Sequence, residues 1–267
     1  MKRQNVVPYQ RPILSAELED KLGDAIQSFE HRGKWAAWGL DKLREQGVAI
    51  LLHGPPGVGK TMTAYYLAKR LHLSMCEVSI ADFGSQVPGQ LARNIKQIFQ
   101  GELIVAGQEK RQPSVIFLDE CDAMLVSRKK LGHDLMWMLE PINMLLSQIG
   151  KYPGLVILCT NLLPMLDEAL ERRLIAQIYI GRPDESTRRK IWKAKWPDKF
   201  PCQPNSAELD VLAKFDLTGA EIENVIVIWA GRLIRRGIDN PTIFMLLDFL
   251  QQDYKDYINK VAEGLNV

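Results

Sequence analysis

The segment HGPPGVGKT at residues 53–61 constrains this chain more than any other feature. It has the spacing G-x-x-x-x-G-K-[ST] through Gly54, Gly59, Lys60 and Thr61. The apolar run VAILLH at 48–53 precedes it, and a helical pattern over 60–71 follows. Strand, glycine-rich turn and helix in that order make a cradle for a polyphosphate. Gly54, Gly57 and Gly59 let backbone N–H groups turn inward with no Cβ in the way. The positive end of the helix faces the same anion. Pro55, Pro56 and Val58 complete the loop and Met62 follows in the helix, so 54–62 is the expected nucleotide-binding stretch. Lys60 is expected to reach the β- and γ-phosphates, and the Thr61 hydroxyl to ligate Mg²⁺. The alternative is a glycine–proline turn that matches by accident.

A second apolar run ends in acids, VIFLDECD at 115–122. In a parallel sheet the C-terminal strand ends lie beside the phosphate loop. Asp119 is suited to hold Mg²⁺ through water, and Glu120 to polarise an attacking water as general base. Taken alone, the pair also fits carboxylates that cap a strand-to-helix turn.

Five short apolar runs recur, at 48–53, 75–80, 114–119, 155–160 and 176–181. They are of strand length and rich in β-branched residues. Continuous apolarity predicts burial on both faces, as in a parallel sheet covered by helices. Helical patterns lie between them at 60–71, 90–100 and 131–149. Two more precede them. One covers 15–30, with Ser15 as N-cap and Leu18, Leu22, Ile26 and Phe29 at helical spacing, and the other covers 34–46. After Pro183 the strand signal stops. Helices are expected at 186–196, 206–214, 218–236 and 242–260, with Asp184 or Ser186 capping the first and Thr218 the third. Phe244, Leu247, Leu250, Tyr254, Tyr257 and Ile258 are the expected apolar face of the last, packed on the small domain or, as the alternative, docking a neighbour. The reading is an α/β domain followed by a small helical one.

Composition narrows the partners. Hydrophobic residues make up 46% and charged residues 25%, enough apolar surface to order most of the chain. No apolar run approaches the roughly 18 residues that cross hydrocarbon, so no membrane partner is expected. A net charge of +2 provides no global field for nucleic acid. The start, MKRQNVVPYQRP, has no apolar stretch after its charges and does not read as a secretory signal. Cys76, Cys121, Cys159 and Cys202 form no C-x-x-C pair and have no zinc spacing, and are expected as reduced, mostly buried thiols of a cytoplasmic protein.

With the phosphate loop and acidic pair in place, the chain resembles the AAA+ ATPases, and within them the AAA clade in the narrow sense. The stretch 143–170 resembles the family segment that runs from the helix before strand four into sensor 1, and Asn161 matches the sensor-1 polar residue. An amide there offers a donor and an acceptor without charge. The stretch 166–184 resembles the segment that carries arginine fingers, on Arg172 and Arg173; surface arginines of a short helix are the alternative. FDLTGAEIENVI at 215–226 resembles the third helix of the small domain, where Gly219 and Ala220 match the small residues near the nucleotide. The resemblance covers about residues 46–236. It implies a P-loop NTPase with a five-stranded parallel sheet of order 5-1-4-3-2. It also implies ATP and Mg²⁺ as cofactors and a homo-oligomer, expected as a hexameric ring. The domains implied are a lead-in segment 1–46, an ATPase domain 47–183 and a helical lid 184–267.

The expected target is a protein or protein assembly that the ring remodels. The family's pore-loop pattern falls on Val87-Pro88-Gly89, with no aromatic at the usual position and Phe83 four residues earlier. That departure argues against aromatic threading. Arg128-Lys129-Lys130 follow the acidic motif, where a basic cluster contacts phosphate backbone or an acidic segment, or is simply a solvated turn. Residues 1–46 are too short for a separate recognition domain, and no winged-helix, zinc or coiled-coil module is read after the last helix. A loader or regulator that grips DNA when ATP-bound is the second reading, and a slow nucleotide switch the third.

Overall fold

A computed structural model of the chain describes residues 11–40, 48–79, 89–100, 115–122, 139–161 and 168–253. They divide into two units, one within Met1–Pro12 and Ala16–Gly181, the other within Ile13–Ser15 and Arg182–Val267.

The first unit is built on strands β1 (Val48–His53), β2 (Met75–Ser79), β3 (Val115–Asp119), β4 (Leu155–Thr160) and β5 (Leu174–Tyr179). All four pairings are parallel and the order is β2-β3-β4-β1-β5, the expected 5-1-4-3-2 read from the other edge. Central position explains the continuous apolar runs: Ile50, Leu51 and Leu52 of β1 and Leu155 to Cys159 of β4 are fully buried. Alternation of side chains puts the two halves of each run on opposite faces. Ala49, Leu51, Val78, Leu118, Val156 and Leu158 share one core with α4 (Gln90–Phe99) and α5 (Leu139–Lys151). On the chain between β1 and β2, α3 (Lys60–Arg70) lies against β3 and β4.

The fifth strand corrects the sequence reading. The strand is Leu174–Tyr179, starting before the expected 176–181, and Tyr179 is 61% exposed. Among the described residues it is an edge strand, paired with β1 alone, and a register shift between Ala49 and Ile50 brings Leu174 into the ladder. An edge strand lacks the second neighbour that would cover its outer residues. Ile180 lies past the strand, yet its N–H still donates to the His53 carbonyl at 2.8 Å.

Helix α1 (Ala16–Glu30) is tied to α3 by the Arg70–Glu30 ion pair at 2.6 Å, and Arg11 lies over the Tyr66 ring. Helix α2 (Arg32–Ala37) follows; residues 41–46 of the expected 34–46 helix lie outside the described residues.

Among the described residues between β4 and β5 lies a short helix, α6 (Glu168–Glu171). The second unit holds α7 (Glu185–Lys195), α8 (Ser206–Ala213), α9 (Gly219–Arg236) and α10 (Ile243–Asp248), which runs into a π turn over Phe249–Asp253. Of the two offered caps for α7, Asp184 accepts the Thr187 N–H at 2.7 Å. Asn205 with Glu208, and Thr218 with Glu221, form capping boxes on α8 and α9. The core is aromatic: Trp192, Trp196, Phe200 and Trp229 meet ring to ring. Two of the indoles find carbonyls, Trp192 on Leu212 at 3.1 Å and Trp196 on Cys202 at 2.9 Å. Phe244 is not part of this core. It is 77% exposed, because the buried stripe is Ile243, Leu246 and Leu250 and Phe244 stands a residue out of phase with it. The remainder of the expected 242–260 helix lies outside the described residues.

Candidate active site

Three separated pieces of chain meet at the C-terminal rim of the sheet. The loop 54–59 leaves β1 with positive φ at Gly54, Gly57 and Gly59. Gly54 is required twice over: its φ is 144°, and a Cβ would stand 2.0 Å from the Ile180 carbonyl oxygen. Gly59 caps α3 at φ 96°, and its carbonyl receives the N–H and hydroxyl of Thr63. Pro55, Val58 and Gly59 are half-buried and Pro56 and Gly57 exposed, so the loop lies open along one side; Met62 is half-buried in the first turn of α3.

Lys60 begins α3 and is 8% exposed. Its ammonium donates to the carbonyls of Gly54 at 2.8 Å and Pro55 at 2.7 Å, and to Asn161 Oδ1 at 2.8 Å. All three N–H groups are thus used. Burial pulls the Lys60 ammonium below its ordinary pKa, against the pull of Cys159, Asp119 and Asp122. Burial also lowers His53, with the Lys60 charge adding to it; its ring rests against Tyr179 at 5.3 Å.

Thr61 Oγ1 donates to Asp119 Oδ2 at 2.9 Å, while Asp119 Oδ1 accepts the Glu120 N–H at 3.0 Å. A hydroxyl beside a carboxylate is the hard-oxygen pair that Mg²⁺ prefers, so the donor set fits that ion. Glu120 is exposed and has φ 50°, in the left-handed region. Non-glycine residues there cost on the order of 1–3 kcal/mol and cluster at functional sites.

The structure therefore brings Gly54 to Thr61, Asp119, Glu120 and Asn161 to one rim. Arg172 and Arg173 stand elsewhere in the first unit, just after α6. They differ: Arg173 Nη1 donates to the Ala169 carbonyl at 2.7 Å, whereas Arg172 is exposed with no side-chain hydrogen bond to any described residue. Gly219 and Ala220 open α9 in the second unit, behind the Thr218 cap. Phe83, Val87, Pro88 and Arg128-Lys129-Lys130 lie outside the described residues.

Sequence reasoning misses Asp122. Its Oδ1 accepts from the Thr160 hydroxyl and from the Asn161 N–H at 3.2 Å. The available signal is a third acid three residues after Asp119. Cys121 is also unanticipated here: its N–H and thiol both donate to the Cys159 carbonyl, at 3.1 and 3.0 Å. Cys76, Cys121 and Cys159 are buried and Cys202 half-buried, all as free thiols, and burial pushes all four thiols up in pKa. Among the described residues no cluster of three or more His, Cys, Asp or Glu is placed to hold a metal ion, and no helix is long and apolar enough to cross a membrane.

Residues 50–182 match the family model described as ATPase family associated with various cellular activities (AAA). An ATP-dependent zinc metalloprotease FtsH of Lachnoclostridium phytofermentans is 32% identical over 223 residues, which is 79% of this chain and 36% of the relative. The same-named protein of Aquifex aeolicus is 29% identical over 81% of this chain and 33% of the relative. Human spastin is 33% identical over 155 residues, 57% of this chain and 24% of the relative. The chain thus spans about a third of the length of these metalloproteases and a quarter of spastin. A phosphate loop joined to an acidic strand end and a polar β4 end, on a sheet of this order and under a family model that runs from within β1 to past β5, makes the chain a member of the AAA family of ATPases.

Proposed function

We propose that this AAA ATPase hydrolyses ATP with Mg²⁺ at a site completed by a neighbouring copy, and uses the cycle to remodel a protein or protein assembly. The observation that carries the reading is the joined rim: Lys60 on Asn161 and Thr61 on Asp119, with Glu120 exposed next to Asp119. Lys60 gives its N–H groups to phosphate oxygens in exchange for the loop carbonyls. Thr61 and Asp119 would hold Mg²⁺, which would supply charge neutralisation on the phosphates. Glu120 takes the proton of the attacking water, and the Asn161 amide orients that water. Gly219 and Ala220 are proposed as further nucleotide contacts on the resemblance of their stretch.

Arg172 is the proposed finger, because Arg173 is engaged in closing its own short helix. A guanidinium acting in trans requires an oligomer; a hexameric ring is the form proposed. The metalloprotease relatives are named as ATP-dependent proteases, which supports a protein target. Buried free thiols support a cytoplasmic setting.

The test mixes two inactive chains. A Lys60→Ala chain still offers its Arg172, and an Arg172→Ala chain still offers its phosphate loop. Recovery of ATPase on mixing, rising more than linearly with concentration, is expected. No recovery in chains shown to co-assemble rules out the trans finger. Stimulation by an unfolded casein-like protein, with none by single- or double-stranded DNA, is expected for the target.

A further inference from the structure

We propose that Asp122 is a positioning residue for hydrolysis, fastening the end of β4 to the turn after β3 so that Glu120 and Asn161 stand at fixed places. This rests on the roles proposed above for those two residues. The β3–β4 register ends at Leu118 opposite Leu158. Past that point the ladder no longer holds the two chain tails together, yet the reacting groups are on them. Single backbone N–H groups and side chains take over. The N–H and thiol of Cys121 reach the Cys159 carbonyl, and Asp122 Oδ1 takes both the Thr160 hydroxyl and the Asn161 N–H.

Two features make this clamp more than packing. Thr160 is 1% exposed, so its hydroxyl has little water to fall back on and needs the acceptor. Among the described residues Glu120 has no side-chain hydrogen bond, and the backbone that carries it is in the left-handed region. A strained turn persists only where its flanks over-determine it. Asp119 Oδ1 holds the near flank through the Glu120 N–H; Cys121 and Asp122 hold the far one. The same Asp122 oxygen fixes the backbone of Asn161, whose side chain meets Lys60. One carboxylate therefore ties the general base to the sensor amide, and needs only an acceptor oxygen to do so.

The experiment measures kcat and KM for ATP, nucleotide affinity by a fluorescent analogue, and Tm, in Asp122→Ala, Asp122→Asn, Thr160→Val and Glu120→Gln chains. Misplacing a reacting group by about 1 Å costs up to roughly 10²-fold. Asp122→Ala is expected to lose about ten- to a hundred-fold in kcat with nucleotide affinity within about threefold of the parent. Asp122→Asn keeps the oxygen and is expected to recover most of kcat with an unchanged pH profile. Thr160→Val is expected to lose less, and the Asp122→Ala/Thr160→Val pair no more than Asp122→Ala alone, since both remove one linkage. If Asp122→Ala does not fold, the Thr160→Val loss at parental affinity and the Asn recovery decide the matter. Parental kcat in Asp122→Ala, an Asn variant as slow as the Ala variant, or affinity falling in step with kcat overturns the proposal. With Glu120→Gln inactive, such a result refutes the clamp alone. A Glu120→Gln chain that hydrolyses ATP like the parent refutes the base assignment and the clamp with it.

Discussion

In the helical unit, polar side chains at helix starts serve their own helix. Asp184, Asn205 and Thr218 each accept an N–H from three residues further on. At the rim of the sheet the partners are remote. Lys60 bonds to a residue 101 positions away, Thr61 to one 58 away and Thr160 to one 38 away. The first kind of bond stabilises a helix that local sequence already favours. The second kind forms only after the sheet has brought separate strand ends together, and it holds groups where stability alone would not place them: a buried ammonium and a left-handed glutamate. Caps are therefore expected to matter for folding and the rim for chemistry.

The sharpest way to break this contrast is at Glu120. Glu120→Gln should lower turnover by about 10²–10⁴-fold, the usual worth of a general base, while Tm stays at the parental value and ATP still binds. Calorimetry beside a phosphate-release assay checks it. A large fall in Tm would mean that the rim is structural after all. The converse substitution is Asn205→Ala. It should cost about 0.5–2 kcal/mol by loss of the cap, measured by urea titration, with turnover per folded chain unchanged.

The smallest effect separates the units by pH. His53 has its pKa lowered by burial, so between neutral pH and the folded value the unfolded chain binds the proton first. Stability then falls as pH drops below about 6.5, the ordinary imidazole value. Asp184 is held below its ordinary value by the Thr187 N–H, so its contribution is complete above about pH 4 and is lost only as pH falls further. Urea titrations at pH 7.5 and 5.5 should show a larger loss in the parent than in His53→Phe, and no such difference between the parent and Asp184→Asn. Equal losses in all three chains would refute the sign argued for His53.

What could be read in advance follows the same division. The phosphate loop, the five apolar runs and the caps at Asp184 and Thr218 are local patterns, and each is visible in fewer than ten consecutive residues. Tyr179 and Phe244 were misread for a shared reason. Apolarity reports that a residue can be buried, but the missing neighbour of an edge strand and the phase of a short helix decide whether it is. Arg172 and Arg173 are adjacent and chemically identical, and it is the tertiary setting, with the bond from Arg173 to Ala169 and the exposure of Arg172, that tells them apart.

Sequence by itself determined the strand–loop–helix cradle and the sheet's two-sided burial, because glycine conformational freedom and hydrophobic periodicity act over a few residues. It determined the starts of α7 and α9 for the same reason, since a cap and its N–H are three residues apart. Tertiary structure alone decided that Asp122 meets Thr160 and Asn161, that Lys60 meets Asn161, and that Gly54 must lack a Cβ beneath Ile180. Those distances exist only once parallel strands from separate parts of the chain lie side by side, and no local pattern encodes which side chains a strand end will then face.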